Sequence, residues 1–112
     1  MNLPAPVAAY FEADGRADEA ALIAAFAERA VVADEGATMH GRAAIGAWWR
    51  AAKAKYGAVA VPVAQAATAE GVRVEARVSG RFPGSPVTLA FSFRLDGAAI
   101  AALDIGAAEP RA

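Results

Sequence analysis

No cysteine occurs in this chain of 112 residues, which excludes disulfides, thiolate nucleophiles and cysteine-ligated metal. Histidine is nearly absent too: His40 stands alone, and a single histidine without a second ligand of its kind does not build a metal site. Charge of one sign is also lacking. Eleven basic residues against 12 acidic ones leave a net charge of -1, so no electrostatic footprint for nucleic acid or anionic lipid is expected. Charges interrupt every apolar run before it reaches the length of a membrane span. The opening "MNLPAPVAAYFEADGR" has no basic start and no long apolar core before a cleavage site. A secretion signal is therefore not expected, and a soluble cytoplasmic protein is the default expectation.

Large apolar side chains are scarce as well. The apolar share is 57%, but much of it is alanine. Phe11, Leu22, Phe26, Trp48, Trp49, Phe91 and Phe93 must then do most of the packing in one domain spanning 1–112.

Two periodicities divide the chain. "PAPVAAYFEADG" sets Val7, Tyr10 and Phe11 at helical spacing, and Gly15 ends it. Asp18 can cap a second helix, "DEAALIAAFAER", with acids in its first turn and Arg29 near its end. Ala30 to Asp34 is short and partly β-branched, a strand, and "EGATMHG" after it reads as a loop. "RAAIGAWWRAAKAKYG" is a third helix with lysines towards its end and Gly57 behind it. From there the period is two. Pro62 marks an edge or bulged strand in "AVAVPVAQAATAE". "VRVEARVSGR" turns Val72, Val74, Ala76 and Val78 to one face, and "VTLAFSFRL" turns Val87, Leu89, Phe91, Phe93 and Leu95 inward. Asp96-Gly97 signals a hairpin of type I′. The spacing of Ile100, Leu103 and Ile105 implies a bulge that turns Asp104 outward, and the tail from 107 to 112 is expected to fray. Helices followed by a meander predict an α+β fold, with three helices from the first half packed on a curved, mainly antiparallel sheet.

A sheet curled over helices leaves a conical cavity when the side chains inside are too small to fill it. Three polar candidates lie in the helical half. Asp34, ending an apolar strand, is either a solvated turn opener or a partly desolvated general base. Tyr10, on an apolar helix face, bonds either a backbone carbonyl or a ligand oxygen. His40 either touches a ligand at the rim or is solvated. Trp48 and Trp49 point about 100° apart, so one is expected in the core and one at the cavity. Phe26, Phe91 and Phe93 complete the candidate ligand-binding set.

Helix, helix, "FAERAVVADEG", "HGRAAIGAWW" and the closing meander resemble the NTF2-like superfamily over about Pro6 to Ile105. The nearest patterns are the SnoaL-like polyketide cyclases and the ketosteroid isomerases. The resemblance implies a cone-shaped fold, no cofactor, a small apolar ligand and a homodimer formed through the sheet face. Ketosteroid isomerases use an aspartate base, a tyrosine and a protonated aspartic acid. The family's base lies eight residues after the phenylalanine that ends its second helix, and Asp34 stands eight after Phe26. The family's tyrosine lies sixteen before that phenylalanine, at Tyr10. The resemblance thus assigns Asp34 as base and Tyr10 as oxyanion donor in an isomerase or cyclase; the alternative is a non-catalytic small-molecule-binding protein. Phe91 takes the place of the protonated acid, a loss of about 3–4 kcal/mol by analogy with one missing oxyanion donor. Trp49 replaces a supporting tyrosine, and Glu35 stands where the family often has proline.

Overall fold

The computed structural model describes residues 1–108; the last four residues of the expected frayed tail lie outside the described residues. Helix α1 (Ala5–Gly15) carries Pro6 in its first turn and buries Val7, Tyr10, Phe11 and Asp14 along one side. Asp18 caps α2 (Glu19–Ala24), its Oδ1 accepting the Ala21 N–H at 3.1 Å.

The second helix was expected to reach Arg29, but it stops at Ala24 and strand β1 (Phe26–Asp34) begins almost at once. Tertiary contacts outweigh the helical propensity of this alanine-rich stretch. The Phe26 carbonyl, which a continued helix would need, accepts Nε and Nη2 of Arg42 at 3.0 and 2.7 Å. The Ala25 carbonyl accepts the Ile100 N–H at 2.9 Å. Phe26 thus opens a strand and does not end a helix.

The expected loop after Asp34 is also partly strand. β2 (Ala37–His40) pairs back on β1 from Asp34↔Ala37 to Val31↔His40. The turn between them, Glu35-Gly36, has positive φ at both residues, +54° and +78°, the pattern of a type I′ hairpin. Helix α3 (Gly41–Tyr56) keeps its expected span. Gly57 closes it in the left-handed region, returning its N–H to the Lys53 carbonyl at 2.8 Å.

The meander consists of β3 (Val59–Ala67), β4 (Gly71–Ser79), β5 (Val87–Asp96) and β6 (Ala99–Ala107). The sheet order is β2-β1-β6-β5-β4-β3, and only the β1–β6 pair is parallel. Pro62 lies in the edge strand β3, where the register slips by one residue between Pro62 and Ala64. β4 alternates as its sequence does, with Val72, Val74, Ala76 and Val78 buried. The β5–β6 hairpin turns on Gly97-Ala98 rather than Asp96-Gly97, because Asp96 still pairs with Ala99. Of those two turn residues only Gly97 has positive φ, the type II′ pattern rather than I′. Ala101 is extra in the β5–β6 register, so Leu103 is buried and Asp104 is exposed.

The three helices pack with this six-stranded sheet in an α+β fold. The few large side chains carry the core, as their scarcity required: Tyr10 meets Phe11 edge-to-face at 5.1 Å, and Phe11 meets Phe91 at 5.3 Å. No helix among the described residues is long and apolar enough to cross a membrane.

Candidate functional site

Where the wall residues are Ala51, Ala52, Ala58 and Ala60, the space between α3 and the sheet is not filled, and a cavity of about 670 Å³ remains. Its rim includes Glu35 from the β1–β2 turn and Phe82, Pro83 and Gly84 from the turn before β5. Tyr10, Asp34, Trp48, Trp49 and Phe91 all line this one cavity, brought together from α1, β1, α3 and β5.

Asp34 shares the inner face of β1 with buried Ala30 and Val32 because strand side chains alternate. Its Oδ2 accepts the Trp48 indole N–H at 3.0 Å. Burial raises the Asp34 carboxyl above its ordinary value, against the opposing effect of the Trp48 bond, and the nearby charges of Glu35 and Asp104 add to the rise. Glu35 is held close by the hairpin turn, where a non-glycine residue with positive φ is uncommon.

Tyr10 is only 3% exposed. Phe11, Phe26 and Phe93 pack edge-on around its ring at 5.1, 5.9 and 5.6 Å. Among the described residues no protein group is hydrogen-bonded to its hydroxyl, and no sealed side-chain polar atom lacks a partner. The phenol oxygen therefore opens onto the cavity. Burial, then the charges of Asp14 and Asp34, push its pKa well above the usual phenol value, so it stays a donor at neutral pH.

Trp49 is buried in the core and Trp48 is partly buried, and the core residue lines the cavity as well as its neighbour does. Each indole N–H serves a different carboxylate. Trp49 donates to Asp14 Oδ1 at 2.9 Å. Asp14, unremarked in the sequence, is the one buried charged residue among those described, and it also accepts the Ala60 N–H at 3.0 Å and lies 3.1 Å from Lys53 Nζ. A signal for it existed: Val7, Tyr10 and Asp14 follow the i, i+3, i+7 spacing of one helix face.

Three candidate ligand residues lie outside the cavity lining. His40 is exposed: it pairs with Val31, whose side chain belongs to the opposite sheet face, and cross-strand partners share a face. Phe26 and Phe93 are fully packed against Tyr10 and support its ring without lining the cavity. Among the described residues no three His, Asp or Glu side chains are grouped to hold a metal ion.

Comparison with known proteins gives this arrangement its relatives. The chain is 48% identical to a proposed polyketide cyclase from Sinorhizobium meliloti, covering 92% of this chain and 94% of that one with a TM-score of 0.89. It is 26% identical to a protein with a ketosteroid isomerase-like fold from Catenulispora acidiphila, solved in complex with trimethylamine (93% and 85% covered, TM-score 0.81). A proposed polyketide cyclase from Xanthomonas campestris shares the fold at 24% identity, with 89% and 85% covered and a TM-score of 0.76. No curated protein matches the chain. Residues 7–103 match the SnoaL-like domain, and with that match and three helices packed on a mainly antiparallel six-stranded sheet, the chain belongs to the SnoaL-like group of NTF2-like proteins.

Proposed function

We propose that this protein is a cofactor-free proton-transfer enzyme of the isomerase or cyclase kind, acting on an apolar ketone. One observation carries the reading: a partly desolvated carboxyl and a phenol without a protein partner among the described residues line the same largely apolar cavity. Asp34 takes a proton from the carbon next to the ligand carbonyl. The C–H electron pair becomes the C=C bond of an enolate, and the carbonyl π pair moves onto oxygen. Tyr10 donates a hydrogen bond to that oxygen as its charge grows. Return of the proton to a different carbon completes an isomerisation; attack of the enolate carbon on a second carbonyl, whose π pair moves onto its oxygen and takes the proton back from Asp34, completes a cyclisation. Desolvation suits Asp34 to the task, since a base works best with a pKa near the working pH. Trp48, Trp49 and Phe91 provide the apolar walls that orient the ligand.

The sheet's outer face fits the expected homodimer. Val59 and Val61 of β3 are 36% and 54% exposed, beside the mixed charges of Arg73, Glu75 and Arg77. The test of the enzyme reading is conversion of a β,γ-unsaturated ketone to its conjugated isomer, followed by ultraviolet absorbance. Wild-type turnover that Asp34→Asn abolishes supports it.

Phe91 favours a second reading, because an apolar ring stands where a second oxyanion donor is expected. In that reading the cavity binds a small molecule without chemistry. Trp48 and Trp49 beside Asp34 and Glu35 also suit a small organic ammonium ion, the kind of ligand in the Catenulispora complex. Tight ligand binding with no turnover and no effect of Asp34→Asn on ketone chemistry selects this second reading.

A further inference from the structure

The wall carrying Asp14 and Lys53 has no part in the proton transfer, yet it is the most polar buried feature among the described residues. Lys53 lies one helical turn after Trp49 on α3, and its ammonium sits 5.5 Å from the Trp49 ring centroid. Its Nζ donates to the Ala58 carbonyl and lies 3.1 Å from Asp14 Oδ1. Asp14 is itself fixed by the Trp49 indole and by the backbone N–H of Ala60. An ammonium group has three N–H donors. Two are directed at these acceptors, and no third acceptor is found among the described residues. The Lys53 side chain is 17% exposed and lines the cavity, so the remaining donor is open to what enters there.

Stability does not account for the pair. Taking two charges out of water costs about as much as their attraction returns, and an apolar pair of similar volume is often neutral or better. A pre-oriented cation on the wall of an otherwise apolar cavity has a use in recognition. Asp14 cancels its net charge, so the fit is to a neutral oxygen acceptor, a hydroxyl or carbonyl, more than to a free anion.

Building on the apolar-ketone reading above, we infer that Lys53 is a specificity-determining residue that receives a second oxygen of the ligand, distinct from the one bonded by Tyr10. The ligand class is then an apolar compound with oxygen functions at two separated positions. Asp14 acts through Lys53 and Trp49 as a positioning residue.

Three naphthalenes test this: 2-naphthol, with one oxygen to meet Tyr10, and 2,6- and 2,7-dihydroxynaphthalene, with a second oxygen on the other ring. Binding is read from quenching of Trp48 and Trp49 fluorescence and by calorimetry. Wild-type protein is expected to bind at least one diol about tenfold more tightly than 2-naphthol, as one hydrogen bond to a charged donor allows. Lys53→Met should bring that preference to within about twofold while keeping 2-naphthol affinity. Because that variant leaves Asp14 without its countercharge, Asp14→Asn/Lys53→Met is the companion, and it should lose the preference equally. If the preference is absent in wild type or survives in both variants while 2-naphthol still binds, the role of Lys53 is overturned and the apolar cavity stands. If no naphthol binds wild-type protein, the role of Lys53 is overturned as well, and the ketone reading is then decided separately by turnover of the β,γ-unsaturated ketone.

Discussion

The Trp48 indole N–H donates to Asp34 Oδ2 at 3.0 Å, across the cavity corner where α3 meets the end of β1. That bond stabilises the charged carboxylate and works against the burial that raises its pKa. Trp48 thus lines the cavity and also holds down the pKa of the Asp34 carboxyl. On the enzyme reading, the acid limb of kcat/KM lies above the ordinary aspartate value of 3.8. Trp48→Phe should move that limb further upward, because burial remains and the opposing bond is gone. A pH–rate profile checks this, as does a carboxyl-carbon NMR titration of Asp34.

The same shift has a stability signature of definite sign. Asp34 has a folded pKa above its unfolded one, so its contribution is full below pH 3.8 and is lost as pH rises through the folded value. Asp34→Asn removes this loss. The variant is expected to be at least as stable as wild type at pH 7, with its relative advantage gone below pH 3.8. Urea unfolding at the two pH values gives the comparison.

Tyr10→Phe separates catalysis from packing. The ring keeps its edge contacts with Phe11, Phe26 and Phe93, and only a hydroxyl without a protein partner among the described residues is lost. Turnover should fall by about 10²–10³, the usual effect of one oxyanion donor, while the thermal midpoint barely moves. Steady-state kinetics and calorimetry on the same preparation measure both.

Asp14 behaves in the opposite way. Asp14→Ala leaves the Trp49 indole, the Ala60 N–H and Lys53 without their acceptor. A loss of about 3–5 kcal/mol is expected, as for breaking a buried ion pair from one side. Asp14→Asn/Lys53→Met, which removes both charges, should cost clearly less. Denaturant midpoints of the two variants decide it.

What the sequence made legible was local. Alternation fixed the inner face of β4, and Pro62 marked both the edge and the bulge of β3. The resemblance to the ketosteroid isomerases, carried by the spacing from Phe26 to Asp34 and back to Tyr10, pointed to two residues that share the cavity. What it hid depends on partners far along the chain. The end of α2 is set by Arg42 on the Phe26 carbonyl, 16 residues away, against a local pattern that favours helix. β2 exists because β1 offers it an edge, and its turn is Glu-Gly rather than the stronger Asn-Gly or Asp-Gly signal. Asp14 drew no notice because Trp49 and Ala60, which make it a buried anchor, lie 35 and 46 residues on. His40 stayed open between a rim contact and a solvated side chain, and only the register of β2, which turns it to the other face, decides for solvent.

Proton abstraction by Asp34 is the central claim, and it is measured most directly without any net reaction. In D2O, exchange of the C1 hydrogens of 2-tetralone can be followed by proton NMR with the protein at catalytic concentration. Wild-type protein should accelerate exchange over buffer, Asp34→Asn should lose about 10²–10⁴ of that acceleration, and Tyr10→Phe should fall between the two. Exchange in wild type that is no faster than in Asp34→Asn would contradict the account.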